Sequence, residues 1–229
     1  MTRQIVLDTE TTGLDPALGH RVIEIGALEL VNRRMTGQTF HVYLNPEREI
    51  DPGAIAVHGL SNEFLADKPR FHDVATEFLH FVRDAELVIH NAPFDVGFLN
   101  AELQREDDGP LTRYCGVLDT LKLAKTMHPG QKNNLDALCK RYQVDNSGRN
   151  FHGALLDAQL LAEVYLAMTR GQETLGIEME ATPAVQLQVK SGAASRGAIK
   201  VLRAGPDDLA AHAAYLGGLG KESGETLAW

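Results

Sequence analysis

Apolar residues in the first 45 positions lie in short runs that turn residues separate. The pattern predicts strands at Ile5–Asp8, Val22–Val31 and Phe40–Leu44, with the turn between the last two formed within Asn32–Gly37. Because the connections are short, we expect these strands to form an antiparallel meander.

Helical spacing of apolar residues dominates after residue 60. Ser61 and Asp73 are typical helix starts, and the helix after Asp73 precedes a strand-like segment at Glu86–His90. The chain thus begins with consecutive strands and continues with strands that alternate with helices. This order predicts an α/β fold with helices packed on the faces of the sheet. The further helices are predicted at Phe94–Leu103, Leu121–Met127, Leu135–Tyr142 and Ala154–Met168.

The composition changes after about Gly171. Ala181–Ala198 is rich in Ala, Gly, Ser, Gln and Pro, which is typical of a linker. Beyond it, Ile199–Leu202 is a candidate strand, and a short helix is predicted from Pro206 through Leu216. So short a segment buries little apolar surface by itself, and we therefore expect it to order on a partner.

The net charge of −9 is unevenly distributed along the 229 residues. Up to residue 180 there are 17 Lys or Arg against 27 Asp or Glu, whereas the remainder has 5 against 4. Binding to a phosphate backbone usually depends on basic side chains, so an acidic domain is a poor stand-alone binder of nucleic acid. We expect metal ions and a partner protein to assist it.

The two cysteines, Cys115 and Cys139, match no zinc-binding spacing and are expected to be buried thiols rather than a disulfide. The sequence shows neither a signal peptide nor a segment long enough to span a membrane. A cytoplasmic protein is the expectation.

Carboxylates follow the first predicted strand at Asp8 and Glu10. Residues two apart on a strand point to the same face, so both side chains can converge on one point. Asp95 and Asp157 follow segments whose ends could lie beside that strand. Four carboxylates in one cleft repel each other unless cations lie among them, and Mg²⁺ and Mn²⁺ prefer oxygen ligands. The pattern predicts a metal-dependent enzyme that acts on phosphate esters.

Each carboxylate also has a structural interpretation. Asp8 and Glu10 are compatible with a turn and cap after a strand, Asp95 with a first-turn residue facing a helix dipole, and Asp157 with a solvated helix position. Asp119, before Thr120, is interpreted as a helix cap.

His152 precedes Asp157 by five residues. On one helix these side chains would lie about 140° apart around the axis, since each residue advances by roughly 100°. We therefore predict that Asp157 lies on the helix and that His152 lies in the loop before it. Histidine can accept a proton near neutral pH, although a surface histidine without a role is the alternative.

These positions together match the pattern of one family. The chain resembles the DEDD exonuclease superfamily, in the branch that carries a histidine five residues before its last aspartate. Asp8 and Glu10 match the first motif, Asp95 the second, and His152 with Asp157 the third. The resemblance implies a ribonuclease H-like exonuclease fold, with a mixed central sheet flanked by helices and, in this chain, a C-terminal extension.

The same resemblance implies hydrolysis assisted by two divalent cations, Mg²⁺ or Mn²⁺. In that branch Asp8 would bridge the ions, Glu10 and Asp157 would hold the ion that carries the attacking water, and Asp95 would lie near the second ion. His152 would be the general base.

Within the superfamily, Asn45–Arg48, Ile50–Pro52 and Val57–Leu60 resemble the middle region of the proofreading epsilon subunits of bacterial DNA polymerase III. The resemblance implies a 3′ to 5′ exonuclease domain over residues 1–171. Such a domain removes mispaired nucleotides from a single-stranded or frayed DNA 3′ end and releases nucleoside 5′-monophosphates.

Thr11, His58 and Asn91 are the substrate contacts that the resemblance suggests. Thr11 lies in the first motif, where backbone donors can approach a nucleotide. A buried histidine and a turn asparagine would explain His58 and Asn91 almost as well.

The C-terminal part resembles the segments by which epsilon subunits assemble with other proteins. Residues 172–198 are interpreted as a linker whose Gln172, Leu175 and Ile177 form a candidate motif for binding the sliding clamp, although Ile177 stands where an aromatic residue is common. Residues 199–229 are the implied attachment to the catalytic subunit of the polymerase.

Two alternatives remain open from the sequence alone. An RNA-trimming exoribonuclease of the same branch would carry the same catalytic motifs. A mainly structural module that tethers the polymerase to the clamp would explain the C-terminal segment without catalysis.

Overall fold

The computed structural model describes residues 2–148, 151–170 and 205–223. The chain divides into two compact units, Met1–Gly176 and Ile177–Trp229. The predicted linker, the clamp-type motif of Gln172, Leu175 and Ile177, and the candidate strand at Ile199–Leu202 lie outside the described residues.

The first unit contains a mixed five-stranded sheet with the strand order β3-β2-β1-β4-β5. Strands β1, β2 and β3 form the predicted antiparallel meander, whereas β4 runs parallel to β1 and β5 runs parallel to β4. The strands are β1 (Arg3–Thr11), β2 (Val22–Val31), β3 (Arg34–Tyr43), β4 (Glu86–Ile89) and β5 (Gly116–Asp119).

Seven helices of this unit lie within the described residues: α1 (Pro52–His58), α2 (Asn62–Leu65), α3 (Phe71–Val82), α4 (Ala92–Arg105), α5 (Thr120–Met127), α6 (Leu135–Tyr142) and α7 (Ala154–Met168). The predicted bounds of β2, α6 and α7 are confirmed at both ends. Ser61 caps α2, as predicted, by accepting a hydrogen bond from the Phe64 amide at 3.2 Å. Asp73 lies in the first turn of α3 rather than before it.

Alternation along β1 directs side chains to both faces of the sheet. Ile5 and Leu7 pack with buried residues of α3 and α4 on one face. Val6 packs with buried residues of α6 and α7 on the other face. The predicted α/β fold, a mixed sheet flanked by helices, is confirmed.

Several predicted bounds were wrong. Strand β1 runs to Thr11 rather than Asp8, and β3 begins at Arg34 rather than Phe40. The turn before β3 is correspondingly only Asn32 and Arg33, whose φ angles are 49° and 63°. Two positive φ angles in succession are typical of the tight turn that matches the twist of a hairpin.

In the second unit, residues 205–223 include helix α8 (Pro206–Ser223), which continues beyond the predicted end at Leu216. The Asp208 carboxylate accepts a hydrogen bond from the Gly205 amide at 2.9 Å, which stabilises the first turn. Leu209 and Tyr215 are 59% and 65% exposed. None of the helices in the described ranges combines the length and apolar character that a membrane span needs.

Candidate metal centre

One cavity collects all four predicted metal ligands at one end of the sheet. Its volume is about 260 Å³. Strands β1, β4 and β5 are parallel to one another, so their carboxyl ends meet at this end, where α4 and α5 begin after β4 and β5. The lining residues are Asp8, Thr9, Glu10, His90, Asn91, Phe94, Asp95, Asn134, Leu135, Asp136, His152 and Asp157.

Asp8 and Glu10 lie near the end of β1, on the face that also carries Val6. Asp8 is paired across the sheet with Gly26 of β2. A side chain at Gly26 would collide with α7, because an added Cβ would lie 2.1 Å from the backbone nitrogen of Leu155. The glycine therefore allows the first turn of α7, which carries Asp157, to approach Asp8 closely.

Asp95 reaches the cavity from the first turn of α4. Its Oδ1 accepts hydrogen bonds from the Thr9 amide at 3.1 Å and from the Thr9 hydroxyl at 2.7 Å. The side chain is buried, and burial raises the pKa of the Asp95 carboxyl to about 7, although the Thr9 contacts oppose that rise. A nearby cation would stabilise the charged form of this buried carboxylate.

His152 and Asp157 have the predicted arrangement. Helix α7 begins after Gly153, so Asp157 is in its first turn and His152 is in the preceding loop. His152 Nδ1 lies 3.2 Å from Asp157 Oδ2. The His152 amide donates to the Val57 carbonyl at 3.1 Å, which fixes this part of the loop against α1.

The donor set fits a hard divalent cation. Glu10, His152 and Asp157 each offer one ligand atom, and these three atoms lie within 4.8 Å of one another. Five carboxylates line the cavity, whereas no Lys or Arg does so among the described residues. Carboxylate oxygens gathered without a Lys or Arg side chain are an environment that suits Mg²⁺ and Mn²⁺.

The three predicted substrate contacts are divided between two cavities. Asn91 lines the metal cavity and has a left-handed backbone, with φ 67°, at the start of α4. Thr11 and His58 instead line a neighbouring cavity of about 530 Å³. Thr9, Glu10 and Phe94 line both cavities, so the two are adjacent.

His58 is buried in the wall of the second cavity. Its Nδ1 accepts a hydrogen bond from the Leu60 amide at 3.0 Å, which places the ring proton on Nε2. Within the described part of the chain, Nε2 has no hydrogen-bond partner. Burial lowers the pKa of His58, and the backbone of Thr11 opposes that shift.

Several residues at the site were not predicted. His90, Phe94 and residues 134–136 line the metal cavity, but they belong to no motif that the sequence would reveal. Arg21 and the buried Glu102 form a bidentate ion pair with two distances of 2.7 Å. Because Arg21 precedes β2 and Glu102 lies on α4, this pair joins the sheet to the helix that carries Asp95.

Asp119 does not belong to the metal cavity. As predicted, it caps a helix, accepting hydrogen bonds from the Leu121 and Lys122 amides at 2.9 and 3.3 Å. The two cysteines, as predicted, are buried thiols that are not bonded to each other.

Comparison with known proteins identifies the family of the chain. Residues 5–165 match the RNase_T family, described as exonuclease. DNA polymerase III subunit epsilon from Salmonella typhimurium is 52% identical over 99% of this chain and 97% of that protein. The Escherichia coli subunit is 50% identical over 99% of this chain and 97% of its own length. The chain belongs to the family of DNA polymerase III epsilon subunits.

Two solved exonuclease structures are similar to this chain in fold. Exonuclease X in complex with 5′ overhanging duplex DNA matches with a TM-score of 0.60 and 26% identity, over 74% of this chain and 92% of that one. Exonuclease I of Escherichia coli, in a zinc-bound complex with single-stranded DNA, has a TM-score of 0.66 over 75% of this chain and 41% of that one. At 19% identity the second likeness shows the fold alone.

Proposed function

We propose that this epsilon-family chain is a 3′ to 5′ exonuclease that removes mispaired nucleotides from DNA as a subunit of the replicative polymerase. The observation that carries the proposal is the convergence of four carboxylates and His152 on one cavity. These residues come from three separate parts of the sequence, and a purely structural role for each would not bring them together.

Asp8, Glu10, Asp95 and Asp157 would hold two divalent cations, Mg²⁺ or Mn²⁺. When bound, such a pair of ions stabilises the charge on the attacking and leaving oxygens of a displacement at phosphorus. The chain supplies the positions: Asp95 is fixed by Thr9, and Asp157 is brought near Asp8 by the contact at Gly26.

His152 is the proposed general base. Its side chain is 46% exposed, so it can exchange protons with solvent. The contacts of His152 with Asp157 and Val57 keep its ring beside the carboxylates. His152→Ala should therefore slow hydrolysis strongly while most of the metal affinity remains, and a fully active variant would remove His152 from the mechanism.

The second cavity is the proposed site for the terminal nucleotide, with Thr11 and His58 as contacts and Asn91 beside the metal cavity. His58 lines this cavity, and its buried ring would contact the substrate there. The walls of this cavity include Leu14, Val57 and Phe94. Apolar contacts of this kind do not distinguish one base from another. A site that needs a single strand selects errors because mispaired 3′ ends fray more readily than paired ones.

Assembly with the polymerase would use residues 199–229. The exposed Leu209 and Tyr215 of α8 support this proposal, since contiguous exposed apolar side chains mark interaction surfaces and aromatic residues are enriched at interfaces. Contact with the sliding clamp through Gln172, Leu175 and Ile177 remains a proposal from the sequence. The chain would then act in the cytoplasm, beside the polymerase.

The test is digestion of end-labelled primers by the purified chain, with and without a chelator. Matched, mismatched and RNA 3′ ends are compared, and Asp8→Ala is the matched loss-of-site variant. We expect metal-dependent release of nucleoside monophosphates, fastest from mismatched DNA. A strong preference for RNA would favour an exoribonuclease, and activity unchanged in Asp8→Ala would favour a tethering module.

A further inference from the structure

The most basic part of the described structure is the segment from Thr120 to Tyr142, which comprises α5, α6 and the loop between them. We call it the α5–α6 segment; it contains five Lys or Arg and one Asp. The other 206 residues contain 17 Lys or Arg and 30 Asp or Glu. A local positive charge within so acidic a chain is a surface that attracts a polyanion.

Contacts across the segment hold the loop against α6. Arg141 donates to the Asn133 side chain at 3.0 Å and to the Lys132 carbonyl at 2.8 Å. His128 Nε2 lies 2.7 Å from the Tyr142 hydroxyl. The Asn133 amide group also donates to the carbonyls of His128 and Gln131 at 3.2 and 3.1 Å. The backbone that carries Lys132 is thus fixed before any ligand binds.

The α5–α6 segment borders the metal cavity. Asn134, Leu135 and Asp136, at the start of α6, line that cavity. Burial lowers the pKa of His90, another lining residue, and the charge of Lys125 adds to that lowering. Lys125 is therefore within electrostatic reach of the cavity wall.

Four lysines of the segment are exposed: Lys122, Lys125, Lys132 and Lys140. None of them forms an ion pair with another described residue. Arg141, by contrast, is partly buried and donates to the loop. The ammonium groups are therefore available for phosphates, whereas the guanidinium shapes the surface.

We propose that the α5–α6 segment binds the phosphodiester backbone of the DNA strand whose 3′ end lies in the metal cavity. This inference rests on the proposed function. It accounts for how an acidic domain engages nucleic acid: the cavity is acidic where metal ions bind, and the adjoining surface is basic where the strand passes.

The test compares the double variant Lys125→Gln/Lys132→Gln with Arg34→Gln. Arg34 is exposed and is the first residue of β3. It lies at the end of the sheet opposite the metal cavity, because its partner Val31 pairs with Arg3. Each enzyme is assayed with a single-stranded 20-mer and with the p-nitrophenyl ester of thymidine 5′-monophosphate, which has no further phosphodiester backbone.

For the 20-mer, the double variant should raise KM about tenfold with kcat little changed. The slope of log(kcat/KM) against log salt should become shallower by about 1.4, since each lost phosphate contact removes about 0.7 on a single strand. Arg34→Gln should leave both quantities close to those of the parent. Kinetics on the nucleotide ester should be the same for all three proteins.

An unchanged KM and salt slope in the double variant would overturn the proposal, as would an equal change in Arg34→Gln. A matching loss on the nucleotide ester would also overturn it, because the lysines would then act on the cavity and not on the strand. Absence of hydrolysis of both substrates by the parent protein would refute the proposed function itself, and with it the inference.

Discussion

Replacing Gly26 by alanine tests whether the close approach of α7 to the sheet positions the metal ligands. An added Cβ would lie 2.1 Å from the nitrogen and 2.4 Å from the Cα of Leu155, and 2.2 Å from the carbonyl carbon of Ala154. All three are backbone atoms, so no side-chain rotation can relieve the overlap. Helix α7 has to move away from β2.

The size of the movement follows from these distances. Ordinary contact begins at 3.4 Å, so the separation from the Leu155 nitrogen has to grow by at least 1.3 Å. Asp157 is two residues further along the same turn and moves with it. A misplacement of about 1 Å in a catalytic group can reduce the rate about 100-fold. Overpacking also destabilises a fold by about 1 to 3 kcal/mol.

We therefore expect Gly26→Ala to reduce kcat on single-stranded DNA about 100-fold and to lower the melting temperature by about 3 to 10 °C. Gly97→Ala is the matched control, since an added Cβ at Gly97 has no atom within 4 Å. That change should stabilise α4 by about 0.5 to 1 kcal/mol and preserve activity. Parental kcat and melting temperature in Gly26→Ala would refute the reasoning.

Three further predictions concern charge and burial. Burial raises the pKa of Asp95 to about 7, so the folded metal-free protein binds this proton more tightly than the unfolded chain does. The free energy of unfolding should therefore fall as pH rises from about 4 to 7. Asp95→Asn should flatten that dependence in melting curves of the chelator-treated protein. Arg21→Met leaves the Glu102 charge buried and should destabilise by about 3 to 5 kcal/mol in urea, whereas Arg21→Met/Glu102→Leu should recover most of that loss. Burial raises the pKa of the Cys115 thiol to about 11, so alkylation at pH 8 should be slow until the protein unfolds; rapid labelling of the native protein would contradict this.

The elements that the sequence predicts well have strong local signals. Asn134 precedes an apolar repeat and caps α6 by accepting a hydrogen bond from the Ala137 amide at 3.1 Å. Helix α7 is bounded by Gly153 and carries buried residues through Met168. In β2, most residues are buried on both faces, so the apolar run extends over the whole strand.

The missed elements lack such signals. Strand β3 lies at the edge of the sheet, and its first six residues are exposed, so apolar alternation does not mark its start. Helix α1 buries only His58, and β5 has four residues with none buried. Their positions depend on packing against distant parts of the chain.

The site shows the same division. Spacing and motif identify Asp8, Glu10 and Asp157 as a group, but they do not reveal which groups fix them. The contact of Asp95 with Thr9 joins residues 86 apart in the sequence. The pair of Arg21 and Glu102 joins residues 81 apart. Such partners are set by the packing of α4 on the sheet, which local patterns do not encode.

Counting bound Mn²⁺ tests the central claim most directly. Electron paramagnetic resonance of the protein titrated with Mn²⁺, in the presence of a nucleoside monophosphate, measures the number of ions held. We predict two ions per chain, and a clear loss of this binding in Asp8→Asn. Binding of no ions, or the same number with the same affinity in Asp8→Asn, would contradict the account.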